Sequence, residues 1–416
     1  MKSQKLLASF IMILTIMLVI VLSKYYIDNT KPKELPEINK KITIMSIYED
    51  KVSNEVLESI VAEYSAMEGN PSVEIRFINQ ANFQKELCIC KDQNKLPDIV
   101  IMENIMTSSL QSMDILWELT DYMTDEKISE YTVNSYNSTL VNGISYAVPF
   151  DSDPMVLFYN EDYFDSYGED IPDSLSEFYQ MCERTKKLGT YNLGLAVKDK
   201  EDISAVFSHL IMNSGGNIRD LESENCTGLY KIIERMRENE ILAPDTINWN
   251  QNDLMEAFAQ GYVKSAIARL SAISILEQRG VEFSYDIAEI PAEQRKIYLL
   301  EGQNIGITTT ADKREALKVM DYLLRKENIE RYCRSTYHLS VRNDLLLNPA
   351  VRFRMMHEYI AKEREQSILR SSYSTWFLIS DAISGNLTNF LGNHTQSAED
   401  FGKQIQEDVR NAIMER

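Results

Sequence analysis

Hydrophobic positions along the chain alternate between two periods. Lys41 to Ile47 reads as a strand, and from about Ser53 a helix follows in which Val56, Leu57, Ile60, Val61 and Tyr64 share one face. Gly69, Asn70 and Pro71 stop that helix. A strand over Ser72 to Ile78, a helix through Phe83 and Leu87, and an apolar strand from Asp98 to Met102 complete a β-α-β-α-β run. Such alternation predicts a parallel sheet with helices on both faces, and ligands of such sheets sit beyond the carboxyl ends of the strands. Tyr48, Glu49, Glu103 and Asn104 fall at those ends and are the first candidate site residues.

From Tyr146 the pattern changes, which predicts a second lobe. Short strands over Tyr146–Val148 and Met155–Tyr159 precede a helix capped near Asp173 or Ser174 and ending at Gly189. The pattern continues with a strand at Leu193–Val197, helices over Asp202–Asn213 and Tyr230–Asn239, and a strand at Ser265–Leu270. Asn304–Thr308 predicts a further strand and Lys313–Arg325 a helix. From Pro349 onwards the pattern is helical, and the last helix is capped by Ser397 with Asp400 three positions on. A length of 416 residues agrees with two lobes, because single hydrophobic cores stop growing below that size.

The amino terminus has a different character. Lys2 and Lys5 precede an apolar run from Leu6 to Leu22, interrupted by Ser9 and Thr15. As a helix this run is about 25 Å long, beyond a usual signal-peptide core and at the lower limit for a membrane span. No small-x-small cleavage pattern and no lipidatable cysteine follows it. Residues 1–23 are therefore expected to be an uncleaved membrane anchor or signal-like segment, with the basic start in the cytoplasm and the body outside it. Residues 24–40, with Pro32 and Pro36, read as a tether.

Charge and rare residues narrow the chemistry. A formal net charge of -20, with no basic stripe, argues against nucleic acid. Five scattered cysteines make no disulfide framework, and Cys88 and Cys90 lack zinc or redox spacing. Four histidines fall in no metal motif, and nucleophile-elbow, P-loop and dinucleotide signatures are missing, so no cofactor, metal or catalytic set is predicted. The acidic group Asp151, Asp153, Glu161 and Asp162 holds the residue type of a glycosidase acid–base pair, but in a chain this rich in acidic residues it reads as loop carboxylates or ligand acceptors. Gly215 and Gly216 suit either a ligand grip or a turn.

Several segments together resemble the family 1 extracellular solute-binding proteins, over nearly the whole stretch from Lys41 to Arg416. Leu96-Pro97-Asp98-Ile99-Val100 resembles the family's x-P-D-[IV]-[IV] strand. Gly143 to Pro149 resembles its G-x-x-Y-[AG]-[LIV]-P approach to the hinge, and Leu157-Phe158-Tyr159-Asn160 is similar to L-x-Y-N. Pro172 with Ser174 to Phe178 resembles a family helix start, with Leu175 in place of a tryptophan. Phe258 to Ala268 is similar to F-x-x-G-x-x-A-[MI], and Trp376 to Leu387 to an aromatic-led helix.

The resemblance implies an α/β, two-lobed periplasmic-binding-protein fold of type II character, each lobe a mixed sheet flanked by helices, joined by hinge crossings. Those crossings are expected near Pro149–Asp153, Leu300–Asn304 and Tyr337–Leu339. The lobes then comprise residues 41–149 with 304–337, and 154–300 with 338–416. The implied function is the solute-binding subunit of an ABC importer. It would be a monomer that presents an oligosaccharide or other small polar solute to the permease transmembrane subunits and performs no catalysis. A membrane-anchored sensor or interaction module with a degenerate cleft is the alternative. The implied ligand contacts are Glu49, Glu103, Asn104 and Asp153, with Trp376 as an aromatic platform; Tyr48, Asp151, Trp249, Arg269 and Gln303 complete the candidate set. The stretch Ala266 to Ile275 departs from the sugar-binding pattern, offering Arg269 and no tryptophan. Trp249 or Tyr337 is either a substitute platform or core filler, and Arg269 either a ligand contact or the partner of a structural carboxylate.

Overall fold

The computed structural model describes residues 41–48, 50–345 and 362–415, together with Met17. Its first lobe is built on β1 (Ile42–Tyr48), β2 (Val73–Asn79) and β3 (Ile99–Glu103), which are parallel and connected by helices α1 (Lys51–Ser65) and α2 (Gln80–Asp92). Every residue of β3 is buried, as its unbroken apolar run demands of a strand covered on both faces. Two later strands close this sheet. β4 (Val148–Pro149) and, far along the chain, β9 (Gln303–Ile307) give the order β2-β1-β3-β9-β4, with β9 antiparallel to both neighbours.

The second lobe holds a four-stranded sheet of β5 (Met155–Asn160), β6 (Tyr191–Leu195), β7 (Val263–Arg269) and β8 (Tyr285–Ala288), in the order β8-β5-β7-β6. Its helices are α3 (Leu175–Arg184), α4 (Lys200–Asn213), α5 (Glu224–Glu238) and α6 (Gln251–Ala259). Helices α7 (Lys313–Leu323) and α8 (Lys326–Thr336) return to the first lobe, where α8 packs on α1. Helices α9 (Trp376–Gly392) and α10 (Ala398–Met414) pack on α4 and α5 of the second. The aromatic cluster Phe207, Tyr230, Phe390 and Phe401 ties these four helices together, with Phe390 and Phe401 stacked at 4.3 Å.

Differences from the sequence reading are local. Helix α3 ends at Arg184 rather than Gly189, and α5 starts at Glu224 because Ser223 caps it. Helix α6, fixed by a capping box of Asn250 and Asp253, and the short edge strand β8 carry too few periodic residues to be read from pattern. The helical start at Pro349 and the apolar run of residues 6–22, apart from Met17, lie outside the described residues. Among the described residues no helix is long and apolar enough to cross a membrane. All five cysteines are free thiols.

The connections between the lobes run side by side. Ser152 and Leu339 exchange backbone hydrogen bonds of 2.9 and 2.8 Å, while the Phe150 N–H donates to Gln303 and the Asp153 N–H to Glu301. Close packing dictates one residue here. Gly302 has φ +128°, and a Cβ on it would stand 2.5 Å from the Asp151 carbonyl oxygen.

Candidate functional site

Because β1, β2 and β3 are parallel, their carboxyl ends share one edge of the first sheet. That edge presents Ile47, then Asp50, Asn79, Gln80 and Glu103. In the second sheet β6 is parallel to β7 and β5 antiparallel to it, so the end of β7 at Arg269 lies beside the start of β5 at Met155. The turn after β6 delivers Asp199 and the first turn of α4 delivers Asp202 to the same edge, and the start of α6 adds Asn250, Gln251 and Asn252. The two edges face each other across a cavity of about 210 Å³.

Arg269 spans this cleft. Its Nη2 donates to Glu103 Oε1 of the first lobe at 2.5 Å, and its Nε to Asp202 Oδ1 of the second at 2.7 Å. Gln80 donates to the same Glu103 oxygen at 2.5 Å. Behind Glu103 lies Arg370, with Nη2 3.6 Å from Glu103 Oε2 and 3.4 Å from Glu201, and Nε 3.1 Å from Glu301. The Trp376 indole N–H donates to Glu201 at 2.9 Å, and the Arg370 guanidinium lies over the Trp376 ring.

Burial and charge oppose each other in this network. Burial pushes the Glu103 carboxyl up to about 7, against the pull of Arg269 and Arg370 and with the push of Glu201 and Glu301. Burial raises Glu301 as well, and burial with the neighbouring Asp202 raises Asp199 to about 6. For Arg269, burial works against the charge, yet Asp202, Glu103, Asp153 and Glu301 together hold its pKa well above the usual value.

The candidate residues divide into three groups. Glu103, Asp153 and Arg269 line the cleft together. Asp153 accepts from the Ser271 N–H and hydroxyl at 2.9 and 2.7 Å, so Ser271 enters the wall with it. Arg269 is paired with carboxylates, as one of its two readings has it, and it also lines the cavity. Asp151 and Gln303 sit in the crossings, where the Gln303 N–H donates to Asp151 Oδ1 at 2.8 Å, and neither lines the cleft cavity. Asn104 is buried beside the crossing, donating to the Leu300 carbonyl. Tyr48 ends β1 as expected, and Glu49 lies outside the described residues.

Trp376 requires a correction. It is 0% exposed and packed in the largest core cluster, because the first turn of α9 points it inward onto Arg370 and Glu201. Its ring offers no open face as a platform here. The next residue, Phe377, instead lines a second cavity of about 220 Å³ that shares Gln80 and Asp199 with the cleft. Trp249 packs edge-on to Tyr262 at 6.0 Å and against the third core cluster, in agreement with core filling, and Tyr337 packs on that cluster too. Gly215 and Gly216 make the turn after α4, with φ +81° at Gly215, and do not line the cleft.

The candidate acid–base group is not brought together as a whole. Asp153 precedes β5, whereas Glu161 and Asp162 follow its far end. Six strand residues separate them by roughly 20 Å, beyond the span of a glycosidase carboxylate pair. Among the described residues no group of histidine, cysteine or carboxylate side chains has the geometry to hold a metal ion. The sequence reading missed Asn79, Gln80, Asp199 and Asp202. Asn79 and Gln80 stand at the end of β2 and Asp199 in the turn after β6, so the rule that found Glu103 would have found these three; Asp202 lies within α4.

The profile of the bacterial extracellular solute-binding proteins matches residues 50–330. Among curated proteins, a binding protein of Brucella abortus is 24% identical over 221 residues, covering 50% of this chain, and its counterpart in Brucella suis matches equally. The chain spans about half, 54%, of the length of these curated relatives. Among solved structures, maltose-bound MalE3 of T. maritima superposes with a TM-score of 0.79 at 18% identity, over 89% of this chain and 99% of that one. A solute-binding protein of Thermotoga lettingae bound to α-D-tagatose gives 0.78 at 16% identity, over 90% and 100%. One of Agrobacterium radiobacter with ribitol gives 0.76 at 15% identity, over 89% and 98%. These likenesses establish the two-lobed fold.

Proposed function

We propose that this chain, which belongs to the bacterial extracellular solute-binding protein family, captures a small polar solute between its lobes and hands it unchanged to an ABC permease. The observation that carries the reading is the cavity walled by both lobes, where Arg269 of one reaches Glu103 of the other. A solute there touches both lobes only when they are closed, so binding favours closure, and the closed form signals occupancy to the permease.

In this reading the lobes divide at the hydrogen-bonded crossings, and residues 1–23 hold the monomer at the membrane with its body outside. The polar wall of Asn, Gln and carboxylate side chains suits hydroxyl- and amine-bearing solutes, and the neighbouring structures with maltose, tagatose and ribitol support that size class.

A thermal-shift screen of the full chain against sugars, polyols, amino acids and amines tests the proposal. At 100 times Kd a ligand adds about 2.7 kcal/mol of stability. The expected result is a clear upward shift with a solute class and recovery of that solute chemically unchanged. Turnover of the solute, or binding of none of these classes by folded protein, would contradict it.

A further inference from the structure

We infer that closing the lobes takes up a proton. Closure presses Glu103 of the first lobe into a cluster already rich in buried carboxylates, and the cluster closes fully only when one of those carboxyls is protonated. The inference adds a regulation to the capture reading and rests on the lobe closure which that reading requires.

Glu103 is the first lobe's contribution. Its Oε1 accepts from Arg269 at the end of β7 and from Gln80 at the start of α2. The other members belong to the second lobe and the crossings: Glu201 and Asp202 in the first turn of α4, Glu301 just before β9, and Arg370 in the segment ahead of α9. Arg269 also donates to Asp202, and Arg370 stands 3.6 Å from Glu103, 3.4 Å from Glu201 and 3.1 Å from Glu301. Among the described residues, two guanidiniums thus serve four carboxylates, and none of the six residues is more than 8% exposed. The Trp376 indole donates to Glu201 but brings no charge. Asp153 presses on Arg269 from the cleft side, with Ser271 donating to it and His338 3.5 Å away.

An independent observation shows which atoms a proton serves. Glu103 Oε2 and Glu301 Oε1 accept no hydrogen bond, although Arg370 stands near each. Both oxygens are closed to solvent and lie on the Arg370 side, behind the cleft wall, where a solute does not reach and a proton needs no room. A buried carboxylate oxygen without a donor is costly. Protonating one carboxyl removes a buried like charge and turns an acceptor-only group into a donor.

The direction of the coupling follows. Burial pushes the Glu103 carboxyl up to about 7 and raises Glu301 as well, with Glu201 adding to the rise at both and Arg269 and Arg370 opposing it. The proton belongs to this cluster rather than to one residue of it. Opening the lobes parts Glu103 from Arg269 and returns it to water, where a glutamate titrates near about 4.3. The closed form therefore holds the proton more tightly than the open form does. The contribution to closure is complete below about pH 4.3 and is lost as pH rises through about 7. From about pH 8.5 to about pH 6 the constant for closure should rise about tenfold.

Small-angle scattering of the full chain at about pH 8.5 and about pH 6, with no solute added, tests the inference. The expected result is a smaller radius of gyration at the lower pH, as the open fraction falls. Glu103→Gln carries the uncharged form at every pH and should be compact, with one radius at both. Glu301→Gln removes the same charge from the crossing and should flatten the response likewise. Infrared difference spectra of the parent minus Glu103→Gln at about pH 6 should show the carbonyl band of a protonated carboxyl, to which Glu363, common to both proteins, does not contribute. Equal parent radii at the two pH values, a parent that opens on acidification, a pH response that survives in both variants, or no carboxyl band would each overturn the inference. None of these outcomes bears on solute capture, which the thermal-shift screen decides separately.

Discussion

Replacing Trp376 with alanine separates two roles that the sequence could not distinguish. The side chain is fully buried, its indole N–H donates to Glu201, and the Arg370 guanidinium lies over its ring. Emptying a buried tryptophan site costs about 3–5 kcal/mol, and the lost donor leaves a buried carboxylate oxygen short of a partner, adding ~1 kcal/mol or more. At about 2–4 °C per kcal/mol for a lobe of this size, the melting transition of the second lobe should fall by about 8–24 °C. Scanning calorimetry measures the fall, and isothermal titration at a temperature where the variant is folded measures affinity. Trp376→Phe, which keeps most of the packing and loses only the N–H, should fall by less. A variant that melts like the parent yet loses solute affinity would refute the reasoning, because the ring would then lie against ligand rather than in the core.

Two further predictions concern the cleft and its hinge. Arg269→Met removes the cation between Glu103 and Asp202, and breaking a buried pair costs about 3–5 kcal/mol with both carboxylates left behind. The ligand-free lobes should therefore open, read as a larger radius of gyration by small-angle scattering; an unchanged radius would show that the pair does not hold them. Burial raises the Glu363 carboxyl to about 7 although the Ser152 hydroxyl, in the crossing, donates to it at 3.0 Å. Its native pKa lies above the unfolded one, so its contribution to stability is complete below about pH 4.5 and is lost as pH rises through about 7, up to ~3 kcal/mol. Glu363→Gln should match the parent near pH 5 and melt higher than it near pH 8; parallel melting curves across that range would remove Glu363 as the source.

The extent to which the sequence disclosed this structure follows from range of interaction. The alternating run from Lys41 to Met102 read correctly because each strand and helix carries its own period, and the parallel order follows from their alternation. β9 also read as a strand, but its place between β3 and β4 joins residues some two hundred positions apart and leaves no local signal. The site was legible where one rule was applied: strand ends yielded Glu103, and the same rule at β2 and β6 points to Gln80 and Asp199. Side-chain direction was not legible. Trp376 and Phe377 are adjacent on the first turn of α9, and only the packing of that helix on α4 sends the first inward and the second to a cavity. Arg269 was left between two roles because its partners, Glu103 and Asp202, come from opposite lobes.

The central claim is that solute is held between the lobes. Hydrogen exchange of the full chain, with and without the solute that most raises its melting midpoint, tests this most directly. The account predicts simultaneous protection of the segment around Asn79 to Glu103 on one lobe and of Asp199 to Asp202 with Gln251 and Arg269 on the other. Protection confined to a single lobe, or to a surface away from both strand edges, would contradict it.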